Sequence, residues 1–325
     1  MKSGRPRPPF PVPYFLPGKR RGATILATPS PSLARVGAHR IERNTKFIFL
    51  VPTILYLMLL GIFPLIFSLF LVFSKWRAGD LSWVGLENID RLFQQDRYWN
   101  SLKLTLLYVL IVSALELFLG TVVALALQSA IRTKSALRLA FTLPMLLPPI
   151  SVSYAWKMLF DYNRGPLNYF LEELGLDRVE WVGNGTTAFI SIMIVDVWQW
   201  TPFVALGVLA ALEALPSDIF EAATIDGAGI WALLRDLTLP LLAPYAVALI
   251  ALRSIDAFKV IDSIIVLTGG GPGTATEVLT YYGYVDGYRP FNLGRMAAVA
   301  WTLVIVMTIV FLVFLRFFRR DEEVE

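Results

Sequence analysis

Six long apolar runs decide most of what this chain can become. They lie at about Phe47–Phe73, Ser101–Gln128, Arg138–Phe160, Ala188–Leu212, Pro240–Leu267 and Leu293–Phe318. A helix crossing a bilayer needs roughly 20 apolar residues, and each run is long enough. Lipid offers no partner to backbone N–H and C=O groups, so such runs are built as helices. The first and last are the clearest. The third and fifth carry Pro or charge, which blurs their limits. Buried helices of a soluble protein are the alternative, but the chain is 56% hydrophobic and only 17% charged. Soluble domains average about 25% charge. The reading is an all-α membrane protein with six transmembrane helices.

There is no Cys, and His39 is the only His. Disulfides, thiolate catalysis and Cys/His metal centres are therefore excluded, and no metal site is expected. Residues 1–46 hold ten Lys/Arg, one Glu and many Pro, and read as a disordered basic cytoplasmic tail. The run that follows is too long for a signal-peptide core and has no evident cleavage site. Lys/Arg placement orients the spans. One side collects the tail, Arg132, Lys134 and Arg138, then Arg316, Arg319 and Arg320. The other holds Lys75, Arg77, Arg91 and Arg97, then Arg164 and Arg178, then Arg289. Both termini are thus expected in the cytoplasm, with a transmembrane region over 47–320 and a short acidic end at 321–325.

One cytoplasmic loop defies this pattern. Glu213–Leu239 carries five acids (Glu213, Asp218, Glu221, Asp226, Asp236) against one base, Arg235. Pro216 ends the preceding span. Asp218 and Glu221 resemble a capping box that starts a short helix, Ile219–Ile225. Asp226-Gly227 turns the chain, since Gly accepts positive φ, and Gly229 keeps the corner open. Ile230–Leu239 reads as a second helix, closed by Pro240. A helix-turn-helix for DNA is disfavoured because phosphate binding rests on Lys and Arg; no nucleic-acid partner is expected. A plain surface connector remains open on the residues alone. A docking knob for a cytoplasmic partner accounts for acids, corner and exposed apolar residues together.

Glu221-Ala222-Ala223, Asp226-Gly227-Ala228 and then Leu239-Pro240 resemble the EAA loop of bacterial ABC importer permeases, here spanning 213–240. Leu215-Pro216 and Leu267-Thr268-Gly269-Gly270-Gly271-Pro272 resemble the flanks found in its carbohydrate, maltose-type branch. The resemblance runs from about Ile48 to Phe318. It implies a type I ABC importer permease fold whose loop docks on a dimer of ATP-binding subunits on the cytoplasmic side. Glu221 would pair with a basic residue there, Ala222 and Ala223 would keep the helix close, and Asp226, Gly227, Ala228 and Gly229 would form the corner. It also implies a second, homologous permease and an extracytoplasmic sugar-binding protein or lipoprotein. No G-x-x-x-x-G-K-[ST] phosphate loop occurs in the chain, so the chain is expected to be non-catalytic and cofactor-free, with ATP and Mg bound by the partner subunits.

Charges and amides at membrane depth are costly and usually face a wet cavity or the bundle interior. Asp196, Gln199 and Trp200 fall on one face of the fourth run, with Thr201-Pro202 beside them to kink the helix. An acid, an amide and an aromatic plate suit a sugar; a structural polar cluster is the alternative. In the fifth run Arg253, Asp256, Lys259 and Asp262 alternate in sign at steps of three, a spacing that drifts around a helix. Arg253 and Asp256 are the better cavity candidates, while Lys259 and Asp262 read as structural or gating. Glu116 reads as a buried structural partner. Resemblance to the maltose-type site implies sugar contacts at Met145, Pro149, Asp196, Gln199, Trp200, Arg253, Ala257 and Val260. The run Arg253–Phe258 is closer to trehalose- and α-glucoside-type permeases, which implies a disaccharide. A proton- or sodium-coupled secondary transporter is the second hypothesis, motivated by the buried ionisable residues. A membrane scaffold without transport is the third.

Overall fold

The computed structural model describes residues 49–77, 80–129 and 134–319. The basic tail, Arg132, Arg320 and the acidic end 321–325 lie outside the described residues.

Two units divide the chain at Ile62 and Phe63. In the first, described residues 49–62 are helical, pass through a π segment at Met58–Ile62, and keep every side chain exposed. They begin the first span, α1 (Phe49–Val72).

In the second unit the runs fold into helices, with one addition. A hairpin pairs β1 (Ser74–Arg77) with β2 (Asp80–Trp83), Ser74 opposite Trp83. Local apolar counting passes over it because it rests on rings packed across the turn. Trp83 lies 5.6 Å from Phe73 and 5.9 Å from Phe70. After α2 (Glu87–Phe93) comes the second span, α3 (Asp96–Ser129). It packs along the fourth run, α7 (Gly185–Ala214). Small residues allow the approach: a Cβ on Gly120 would meet Val204 at 2.8 Å, and Ala124 and Ala205 are fully buried. Asn184 caps α7, its side chain accepting from the Thr186 amide at 3.0 Å. The helix continues through Pro202, where Thr201 donates to the Val197 carbonyl at 2.6 Å.

Among the described residues, five helices are long and apolar enough to cross a membrane: Phe49–Val72, Asp96–Gln128, Gly185–Ala214, Ile230–Ala257 and Leu293–Arg316. The third run is not a single helix. It splits into α4 (Lys134–Leu146) and α5 (Pro149–Leu159), and a short helix, α6 (Pro166–Glu173), leads on to α7. Pro148 is extended (φ −59°, ψ 132°), because a residue before proline is driven out of the α region, and here Pro149 follows it.

The fifth run differs too. The predicted second loop helix does not stop at Pro240. It runs on as one helix, α9 (Ile230–Ala257), with a π stretch at Leu233–Thr238. Pro240 sits in the first turn of the α segment that continues the helix from Leu239. The far end breaks instead: Ile261 has φ −146°, and Asp262–Leu267 forms a separate short helix, α10. The last span, α12 (Leu293–Arg319), follows α11 (Leu279–Gly283).

Candidate functional site

Two broken helices converge on one cavity. The breaks at Leu147-Pro148 and at Phe258–Ile261 bring Pro149, Lys259, Val260, Ile261, Asp262 and Ser263 to its wall, and α7 and α9 supply Asp196, Gln199, Trp200, Arg253 and Asp256. Non-helical backbone at membrane depth is tolerated where protein or a watery cavity covers it, and discontinuous helices commonly frame transporter sites. The breaks are also braced. Gln199 donates its amide to the Leu147 carbonyl at 2.9 Å. Lys157 donates to the Val266 carbonyl at 2.7 Å, and Ser153 to Ser263 at 3.2 Å.

Arg253 organises the interior. Its Nη2 donates to Glu116 Oε1 at 2.9 Å, and its Nε lies 2.6 Å from Oε2, an ion-pair contact at an angle poor for a hydrogen bond. Nη2 also pairs with Asp196. Asp256 is farther, at 3.9 Å, and is itself 3.1 Å from Lys259. The guanidinium stands over one face of Trp200, 5.5 Å from the ring centre, a cation–π geometry. Arg253 and Glu116 are buried side by side; removing a partner from such a pair leaves an uncompensated charge.

Of the nine residues singled out for sugar contact, seven reach this cavity: Pro149, Asp196, Gln199, Trp200, Arg253, Asp256 and Val260. Ala257 does not. It is buried in the apolar core with Phe258 and Ile264, on the side of α9 turned from the cavity. Met145 precedes the break and is not in the wall. Lys259 and Asp262 do line it, although steps of three should spread them around a helix. That expectation assumed one continuous helix, and the break at Phe258–Ile261 redirects both.

The acidic loop forms a corner. α8 (Ser217–Ile225) has no buried residue. Its N-cap is Pro216, with no side-chain bond, so Asp218 is not the predicted cap but sits in the first turn. There its charge still favours the helix N-terminus. At the other end Gly227 has φ +85°. The Ala228 amide donates to the Ala223 carbonyl at 2.9 Å, and the Gly227 amide to the Thr224 carbonyl at 3.1 Å. This is a Schellman closure, which needs the left-handed residue. Gly229 is different: its φ is −75° and a Cβ there would meet nothing. Ile225, Ile230 and Trp231 are 85%, 80% and 79% exposed. Glu221, Phe220 and Thr224 border a groove of about 770 Å³ against Leu125, Gln128 and Leu212. Glu213, counted among the loop acids, is instead bound within the chain, accepting from Arg138 at 2.5 Å.

A third cluster escaped the sequence. Arg97 clamps buried Glu277 through Nε at 2.8 Å and Nη2 at 2.8 Å, and Ser101 lies 3.4 Å from the same carboxylate. The Leu279 amide donates to Thr105 at 2.8 Å. Tyr282, below Arg97, donates to Gln95 at 2.7 Å, and burial pushes its pKa up to about 12. These contacts pin the Gly-rich loop after α10 to the start of α3. A sequence separation of 180 residues between Arg97 and Glu277 leaves no local signal.

Residues 116–321 match the family model described as binding-protein-dependent transport system inner membrane component. A probable ABC transporter permease of Sinorhizobium fredii is 35% identical over 87% of this chain and 93% of its own length. The trehalose/maltose transport system permease MalF of Thermococcus litoralis is 38% identical over 73% of this chain and 81% of its own. Among solved structures, a chain of a bacterial ABC transporter involved in import of the acidic polysaccharide alginate superposes with TM-score 0.77 at 21% identity, covering 88% of this chain and 99% of that one. That likeness concerns the fold. Nothing in these similarities favours an ion-gradient transporter. The chain belongs to the family of binding-protein-dependent transport system inner membrane components, as a multi-pass permease subunit of an ABC importer.

Proposed function

We propose that the chain forms half of the path for a carbohydrate, a disaccharide such as trehalose or another α-glucoside, and couples its passage to ATP hydrolysed by a partner dimer. The carrying observation is mechanical. The exposed corner Ser217–Gly229 joins α7 directly to α9, the two helices that supply most charged and polar groups of the cavity. A partner that seats on Glu221, Ala222, Ala223 and the Asp226–Gly229 turn therefore holds both walls of the cavity at one point. The similarity to a trehalose/maltose permease supports the substrate class. The cavity measures about 190 Å³, smaller than the roughly 300–1,000 Å³ usual for ligand sites. That size fits a half-site completed by a second, homologous permease.

On this reading the corner and both termini face the cytoplasm, the Gly-rich loop near Gly269–Gly273 faces an extracytoplasmic binding protein, and ATP and Mg belong to the partner subunits. This chain performs no bond chemistry. In the assembled transporter, Glu221→Ala should lower substrate-stimulated ATP hydrolysis about tenfold or more, the loss of a charged hydrogen-bonded contact, while the subunits still copurify. Wild-type stimulation in that variant would sink the docking role.

A further inference from the structure

Three carboxylates and two cations line the cavity: Asp196, Asp256 and Asp262 against Arg253 and Lys259. A fourth carboxylate, Glu116, lies directly behind Arg253. Both cations are engaged. Arg253 is held by Glu116 and Asp196, and Lys259 stands 3.1 Å from Asp256. Asp262 opens the short helix α10, half-buried, with no ion pair among the described residues. The cavity is thus formally negative: three carboxylates face two cations, and the more open cation, Lys259, is already shared with Asp256.

We propose that this cavity selects uncharged sugars and excludes anionic ones such as uronates, with Asp256 and Asp262 as the residues that determine the choice. The inference rests on the reading that the cavity contacts sugar. An anionic group entering here meets like charge at short range, with more carboxylates than cations in the wall. To reach Arg253 it must displace Glu116 or Asp196 and leave a buried carboxylate unpaired. A hydroxyl has no such difficulty. It donates to Asp256 or Asp262 and accepts from Lys259, and it leaves the Arg253 cluster intact. Discrimination of this kind works by repulsion as much as by attraction.

The test is saturation-transfer NMR on the purified permease–ATPase complex without its binding protein, so that only the membrane site chooses. The probes are trehalose, maltose and the monouronate of each. Neutral sugars are expected to bind at least about tenfold more tightly than their uronates, a gap of about 1.4 kcal/mol. Asp256→Asn with Asp262→Asn should narrow that gap. Asp262→Asn alone, at an unpaired and half-buried position, should move it the same way by less, and it covers the case in which the double variant fails to assemble. Uronates bound as tightly as neutral sugars in the unaltered complex overturn the charge selection and leave the sugar site standing. A gap unchanged in Asp262→Asn overturns the role given to that residue. Binding of neither probe class, in a complex still stimulated by loaded binding protein, overturns the sugar site itself.

Discussion

Arg253 shows what one residue can decide. It is 2% exposed, and three helices meet on it: α3 through Glu116, α7 through Asp196 and its own α9. Cutting one side of a buried ion pair costs about 3–5 kcal/mol, because the remaining charge has no water. Glu116→Ala should therefore lower the thermal unfolding midpoint of the detergent-solubilised protein strongly. Asp256→Ala should cost little. Its side chain is 43% exposed and its pair with Lys259 is of the half-open kind worth about 0–1 kcal/mol. Equal losses in the two variants would contradict the ranking. The charges themselves were legible: an acid and an arginine inside apolar runs announce a buried polar site. Their pairing was not, because 137 residues separate Glu116 from Arg253, and helical spacing says nothing about partners that far apart.

At the scale of elements, the corner was read correctly where its chemistry is local. A positive-φ glycine ends α8, and carbonyls three and four residues back close the turn. Its start was misread because Pro216 sets an extended entry two residues early, which makes Asp218 a first-turn residue. Gly227 and Gly229 now separate fold from docking. Gly227→Ala forces a side chain to φ +85°, a strain on the order of 1–2 kcal/mol, and should impair both corner stability and coupling. Gly229→Ala has an ordinary φ and open space, so the isolated chain should tolerate it. If Gly229→Ala nonetheless reduces stimulated ATPase activity in the assembled transporter, the close neighbour lies in the partner. Normal stimulation would remove Gly229 from the contact. The broken third run follows the same logic: Pro148-Pro149 forbids a continuous helix, a signal present in the sequence but masked there by overall apolarity.

For the whole molecule, sidedness is the property that joins the corner to the cavity. The chain has no native cysteine, so a single introduced one reports its side cleanly. Trp231→Cys, at a 79% exposed corner position, should react with an impermeant maleimide only from the cytoplasmic side. Thr274→Cys, exposed in the Gly-rich loop, should react only from the opposite side. Labelling of both from one side would overturn the proposed coupling across the membrane. The sequence by itself determined the apolar segments, their order, the acidic corner and the polar faces of α7 and α9. All of these follow from short-range rules: segment length, helical period, charge count and the turn habit of glycine. Tertiary structure alone decided that the two helix breaks share one cavity, that Ala257 faces away while Lys259 and Asp262 face in, and that Arg97 clamps Glu277. The reason is physical. Those outcomes depend on how helices far apart in the chain pack and where each is cut, and lipid-like interiors leave the choice to side-chain fit and ion pairing between distant residues.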